Sequence, residues 1–254
     1  MAIADKSILG IGIYSPREAA RYARASTARF RRWIYGTKRS DSVIDPDIPR
    51  DGSRERVTFL DFAQALSVQD IRLNVGVPLQ RIREAYEKAR KDFDLEHPFA
   101  VKNGIFIFGN LNDPSHCVLG IYPRAEQSID PDFLGQKAVQ LTGKKKGNLL
   151  IFEVVQEFSR RLAYSTKGLA DEFLAFERFG YRILMQPDCR FGKPYIDGLV
   201  YEAETLADAA KHEGGVDKAS ELYEVPKNAV KAALAYMHEL ETKPQKISPK
   251  KIAA

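Results

Sequence analysis

Apolar positions along this 254-residue chain first recur with a helical period. In TARFRRWIYG, Phe30, Trp33 and Ile34 stand at i, i+3 and i+4, which predicts a helix from Thr27 to Tyr35 with these three facing a core. The preceding YSPREAARYARAS opens with Ser15 as a candidate N-cap and Pro16 at the first helical position, so a helix is expected from Pro16 to about Ala23. Small Ala19 and Ala20 at its centre permit a close helix crossing, Ser26 can cap the second helix, and Gly36 can end it. The polar stretch from Thr37 to Val57, broken by Pro46, Pro49 and Gly52, reads as a loop or short hairpin. Helical spacing returns through Leu60, Ala63, Leu66 and Ile71, stops at Gly76, and restarts at Pro78 in PLQRIREAYEKARKDF.

Beyond residue 95 the pattern is mixed. FAVKNGIFIF places Asn103-Gly104 between β-prone flanks, which predicts a hairpin with strands at 99–102 and 105–108. LLIFEVVQEFSRRLAYS places Ile151, Val154, Val155, Phe158 and Leu162 on one face of a helix. A strand is expected from Tyr181 to Met185, followed by the turn-rich QPDCRFGKPYIDGLV. Three short helical patterns close the chain: ETLADAAKHEG, DKASELYE starting at Asp217, and PKNAVKAALAYMHEL starting at Pro226. The expected class is therefore mainly α with small β elements, α+β overall. It divides into an N-terminal helix-turn-helix domain (1–95), a central mixed α/β linker or dimerisation segment (96–179), a three-helix, helix-turn-helix-like module (180–241) and a disordered basic tail (242–254).

Charge sharpens this picture. Between Ser15 and Ser40 there are eight basic residues (Arg17, Arg21, Arg24, Arg29, Arg31, Arg32, Lys38, Arg39) and one acid, Glu18. Residues 1–95 hold 18 basic and 13 acidic side chains, and the remainder holds 21 of each, so the whole excess of +5 belongs to the N-terminal part. A concentrated basic surface on a helix pair favours phosphate and releases its condensed counterions, the footprint of a DNA reader. On that reading Thr27, Arg29 and Arg32 enter the major groove, and Arg17, Arg31, Lys38, Arg39 and Arg54 hold phosphates. Phe30 and Trp33 are assigned to the core.

Other candidate chemistry is thin. Gly10-Ile-Gly12 lacks the third glycine of a dinucleotide fingerprint, because Ser15 and then Pro16 follow, and Gly143-Lys-Lys-Lys-Gly147 lacks the Ser/Thr ending of a P-loop. His97, His116, His212 and His238 show no metal spacing, and Asp45, Asp47 and Asp51 fall in a proline-broken loop that reads as a solvated turn. Cys117 and Cys189 are far apart, no apolar run approaches the roughly 20 residues needed to span a bilayer, and no export signal is visible. The expectation is a cytoplasmic protein with no membrane segment, no cofactor, no metal and no catalytic constellation.

Two segments resemble known families. IYSPREAARYARASTARFRRWI together with VGVPLQRIREAYEKA resembles MerR-like winged helix-turn-helix domains. Pro187-Asp188, Gly192-Lys193-Pro194, Ile196-Asp197-Gly198 and the closing AVKAALAYMHEL resemble domain of unknown function 433. The two in this order are similar to VapB-type antitoxins. That resemblance implies a dimer that represses its own operon by binding operator DNA and neutralises a PIN-like ribonuclease toxin, with Arg190 and Lys193 as candidate toxin contacts. One departure is that relatives usually carry Thr-Arg after the last glycine, where this chain has Leu199-Val200. The alternative reading is a stand-alone MerR-like regulator that responds to a small ligand in the central segment.

Overall fold

The computed structural model describes residues 11–51, 54–102, 105–108, 118–121, 138–142, 149–150, 154–156 and 161–242. The fold is α+β, with helices at both ends of the described chain and small antiparallel sheets between them. Strand β1 (Ile13–Tyr14) leads into α1 (Pro16–Tyr22), where the Ser15 hydroxyl accepts the Glu18 N–H at 3.2 Å and the Glu18 carboxylate accepts the Ser15 N–H at 2.9 Å. Helix α2 (Thr27–Tyr35) starts at Ser26, whose hydroxyl accepts the Arg29 N–H, and ends at Gly36 with φ 65°. Glycine is needed there twice over, because a Cβ would also lie 2.7 Å from the Ser40 carbonyl oxygen. Phe30, Trp33 and Ile34 are fully buried, as their spacing predicts.

Strand β2 (Val57–Thr58) pairs antiparallel with β1, and Thr58 then caps α3 (Phe59–Gln69) reciprocally with Asp61. The helix widens into a π-turn over Asp70–Val75 and stops at Gly76, after which α4 (Leu79–Phe93) begins behind Pro78. The buried side of α3 is wider than the four-residue spacing suggests. Phe59, Phe62, Ala63, Ala65 and Val68 are buried while Leu60 and Leu66 are only partly so, because α2 and a later strand cover the helix from different sides.

The middle of the chain departs from expectation in two places. Residues 105–108 do form a strand, β3 (Ile105–Phe108), but its partners are β4 (Val118–Ile121) and β7 (Val154–Gln156), not residues 99–102. Residues 100–102 instead bond the turn ahead of a later strand: Ala170 N–H donates to the Ala100 carbonyl at 2.8 Å, and Lys102 N–H to the Gly168 carbonyl at 2.7 Å. A backbone group bonded there cannot also close a hairpin. The described residues of the segment LLIFEVVQEFSRRLAYS, expected as a helix, form strands instead. β6 (Leu149–Leu150) pairs with β5 (Ala138–Gln140), β7 pairs with β3, and β8 (Leu162–Tyr164) belongs to a second sheet. Crowded β-branched and aromatic residues satisfy a helical spacing and a strand equally well, and cross-strand partners decide between them. Ile151, Phe158, the Gly143–Gly147 turn and residues 243–254 lie outside the described residues.

The second sheet has the order β11-β10-β9-β8, with β9 (Ala170–Arg178), β10 (Tyr181–Met185) and β11 (Tyr195–Ile196). The strand expected at Tyr181–Met185 is β10. The 179/180 position lies in the turn joining β9 to β10, so the central and C-terminal segments share one hairpin. α5 (Ala203–His212), α6 (Val216–Leu222) and α7 (Lys227–Glu241) follow. The α6–α7 turn repeats the α1–α2 turn: Glu224 and Arg24 are both left-handed, at φ 52° and 54°. The Val225 and Ala25 N–H groups reach back to the Ser220 and Ala20 carbonyls at 3.1 and 2.8 Å.

The N-terminal helices, the second sheet and the C-terminal helices are packed on one another. Phe62 meets Phe173 edge-on at 5.4 Å, the buried Tyr14 hydroxyl donates to the Gly192 carbonyl at 2.8 Å, and Arg21 and Arg24 pair with Glu204 and Glu239. One continuous cluster of buried apolar residues runs through all three.

Candidate nucleic-acid interface

With Phe30, Trp33 and Ile34 turned inward, α2 presents Ala28, Arg29, Arg31 and Arg32 outward. The inward triad therefore fixes which arginines reach solvent. Arg17 on α1, Arg29 and Arg32 on α2, Lys38 and Arg39 in the tight Thr37–Ser40 turn, and Arg54 before β2 are all exposed. Among the described residues none of these six pairs with a carboxylate. Unpaired guanidinium and ammonium groups on exposed backbone leave their charge and donors available to an anion. Thr27 is half-buried at the start of α2, beside the cap.

The remaining three of the eight basic residues are engaged. Arg21 and Arg24 bind Glu204 and Glu239 and tie α1 to the C-terminal helices, so they belong to the packing of the molecule. Arg31 donates to Glu55 through Nε and Nη2, both at 2.7 Å, and Arg50 meets the same carboxylate at 2.5 Å. Two guanidinium groups hold the Glu55 carboxyl below its usual range, chiefly through the Arg31 hydrogen bonds, and Arg31 is raised in return. Arg50 also sits 5.1 Å above the Tyr35 ring. The Tyr35 hydroxyl donates to the Arg56 carbonyl at 2.6 Å, and burial pushes its pKa up to about 12. The 50–56 segment is thereby fastened beside α2. Arg50 was not among the residues that spacing singled out, since it stands in a proline-broken loop where no period points outward.

The candidate toxin contacts lie elsewhere, on the turn that follows β10. Arg190 is exposed and has no ion partner among the described residues, whereas Lys193 approaches Glu202 at 3.5 Å. Arg190, Phe191 and Gly192 form a run of three left-handed residues at φ 50°, 55° and 84°. Phe191 is 65% exposed at its crest. The turn is braced from below, because a side chain at Gly192 would be driven into the Tyr14 hydroxyl.

The loop aspartates do not converge. Asp45 pairs with Arg90, Asp47 accepts the Thr58 hydroxyl at 2.6 Å, and Asp51 makes a backbone bridge with Arg54. Among the described residues no group of three or more His, Cys, Asp or Glu is placed to hold a metal ion. Asp47 does help form a buried polar knot: Asp61, fully enclosed, accepts the Asp47 and Thr58 N–H groups, and His97 lies 3.5 Å from Asp47. Burial and then the Asp47 charge push the Asp61 pKa up to about 7. A narrow crevice at the seam of α1 and α7, lined by Arg21, Lys193, Glu202 and Tyr236 among others, is too small for an organic ligand. Among the described residues no helix is long and apolar enough to cross a membrane.

No family model and no curated protein matches the chain. Among solved structures, the crystal structure of Rv2018 from Mycobacterium tuberculosis is similar, with a TM-score of 0.57 at 16% identity, over 89% of this chain and 98% of that one. At that identity the likeness concerns the fold alone.

Proposed function

We propose that this protein is a dimeric DNA-binding antitoxin that represses its own operon and neutralises a PIN-like ribonuclease. The observation that carries the DNA half is the set of exposed basic residues, unpaired among the described residues, on and around α1 and α2. In this reading α1 and α2 act as the helix-turn-helix of a winged domain. Thr27, Arg29 and Arg32 meet base edges at the N-terminal part of the recognition helix, and Arg17, Lys38, Arg39 and Arg54 hold phosphates. Arg31 joins the phosphate contacts from beside Glu55. Two-fold symmetry of the dimer then calls for a palindromic operator.

The toxin half is supported by Arg190. A cation without an ion partner among the described residues, beside an exposed aromatic residue on a turn of left-handed backbone, suits a surface that meets clustered carboxylates such as those of a metal-dependent ribonuclease. Lys193, held by Glu202, is the weaker contributor. Because β10 and β11 belong to the sheet that packs on α3, this half is tested in the full-length chain and not by truncation. Co-expression with the product of the adjacent reading frame, purification through a tag on this chain, and an assay of the eluate before and after separation is the direct test. The expected result is a stable complex whose partner cleaves RNA only once separated, and loss of that complex with Arg190→Ala/Phe191→Ser. A chain that elutes alone while its neighbour is soluble and folded would contradict the antitoxin reading.

A further inference from the structure

We infer that Arg31 and Arg50 together form a seat for one DNA phosphate, positioned by Glu55. This rests on the DNA-binding reading above and adds to it a residue, Arg50, and a geometry. The Glu55 side chain is only 11% exposed, whereas Arg31 and Arg50 are 49% and 47% exposed, so the acid lies beneath and the two cations face solvent. Arg31 comes from α2 and Arg50 from the loop before β2, so the seat bridges two segments that no sequence motif links.

Both Nη2 atoms approach the same oxygen, Glu55 Oε1, at 2.7 and 2.5 Å. The two nitrogens therefore lie within about 5 Å of each other, a span over which one phosphate can accept a hydrogen bond from each. Neither guanidinium is exhausted. Arg31 uses Nε and one Nη2 hydrogen on the carboxylate, and Arg50 uses Nη2 alone, which leaves outward donors on both. Arg50 is fixed further by the Tyr35 ring below it, and Tyr35 by its bond to Arg56. Two cations around one carboxylate leave a single positive charge, the complement of one phosphate diester. Glu55 holds the fork-shaped groups in place before DNA arrives, so the ordering cost of two long side chains is met in the free protein.

The test is a double-mutant cycle on the full-length chain, read by fluorescence anisotropy with a short random-sequence duplex across a salt series. Arg31→Ala and Arg50→Ala are each expected to weaken binding roughly tenfold and to flatten the log–log salt slope by about 0.9, the value for one phosphate contact. The salt slope of the double variant should fall no further than that of either single one, because the two arginines serve one phosphate, while its affinity drops further through the unpaired Glu55 carboxylate. With Glu55→Gln in place each single loss should shrink, because neither guanidinium is then held in place before DNA arrives. Slope losses that add in the wild-type background, or an unchanged slope in both single variants, would overturn the shared seat. Single losses that stay the same size in the Glu55→Gln background would overturn the role given to Glu55. Arg29→Ala, run in parallel, separates the levels: if it weakens binding while Arg31→Ala and Arg50→Ala do not, the DNA reading stands and the seat falls. Wild-type protein that does not bind the duplex overturns both.

Discussion

The Tyr14 hydroxyl joins the first strand of the chain to the turn that carries Arg190, 178 residues away. Burial drives its pKa upward, so it is a phenol donor at every working pH. Tyr14→Phe would leave the Gly192 carbonyl buried and unbonded, at a cost of about 1–3 kcal/mol. A matching drop in the urea midpoint is expected, and an unchanged midpoint would show that the bond contributes nothing. Asp61 supplies a pH dependence. Its folded pKa, about 7, lies above its ordinary value of 3.8, so the folded protein binds the proton more tightly than the unfolded chain does. That contribution is full below pH 4 and is lost as pH rises through 7, amounting to roughly a few kcal/mol. The stability gap between wild type and Asp61→Asn should therefore shrink between pH 5 and pH 8 in denaturant titrations. A gap independent of pH would contradict the assignment. The sequence indicates Asp61 only as a polar residue three positions after Thr58. Its burial depends on the Pro46–Pro49 loop folding over it, a long-range contact with no local signal.

Helix starts and stops are the best-written features of this chain, because each is fixed by one or two neighbouring residues. Ser15, Ser26, Gly36, Gly76, Pro78 and Pro226 all stand where the helices begin or end. Ser26→Ala removes the acceptor for the Arg29 N–H and should cost about 1 kcal/mol while loosening the first turn of α2. The drop would be seen in thermal unfolding. Strands carry less local signal, because their partners come from other parts of the chain. Asn103-Gly104 is a strong hairpin signal, yet Val101 pairs with Leu169 and Ile105–Phe108 pairs with strands further along the chain. The apolar positions between Leu149 and Leu162 also fit a helical spacing, but β6 and β8 pair with the neighbouring strands β5 and β9, and β7 with the distant β3. The outward side of α2 was readable from the inward triad, and so was the exposure of Arg29 and Arg32. The fates of Arg21, Arg24 and Arg31 were not, since Glu204, Glu239 and Glu55 reach them from other elements.

At the scale of the molecule, Glu204 and Glu239 of the C-terminal helices neutralise Arg21 and Arg24, while Arg17, Arg29, Arg32, Lys38 and Arg39 have no carboxylate partner among the described residues. Packing thus divides the eight basic residues between Ser15 and Ser40 into three that are paired, Arg21, Arg24 and Arg31, and five that are exposed. The two helix pairs with the same turn differ in this respect. α6 and α7 carry their own acid–base pairs, Asp217 with Lys227 and Glu221 with Lys218, while α2 carries none within itself. This difference makes α2, and not α7, the element expected to face DNA. The most direct test is an anisotropy titration of full-length protein, wild type against Arg29→Ala/Arg32→Ala, on a duplex taken from upstream of its own reading frame and on a scrambled duplex. Wild type is expected to prefer the upstream duplex, and the variant to lose that preference together with at least tenfold in affinity, the order expected for base and phosphate contacts. Equal affinity of the two proteins for both duplexes would contradict the assignment of α2 as the DNA-reading helix.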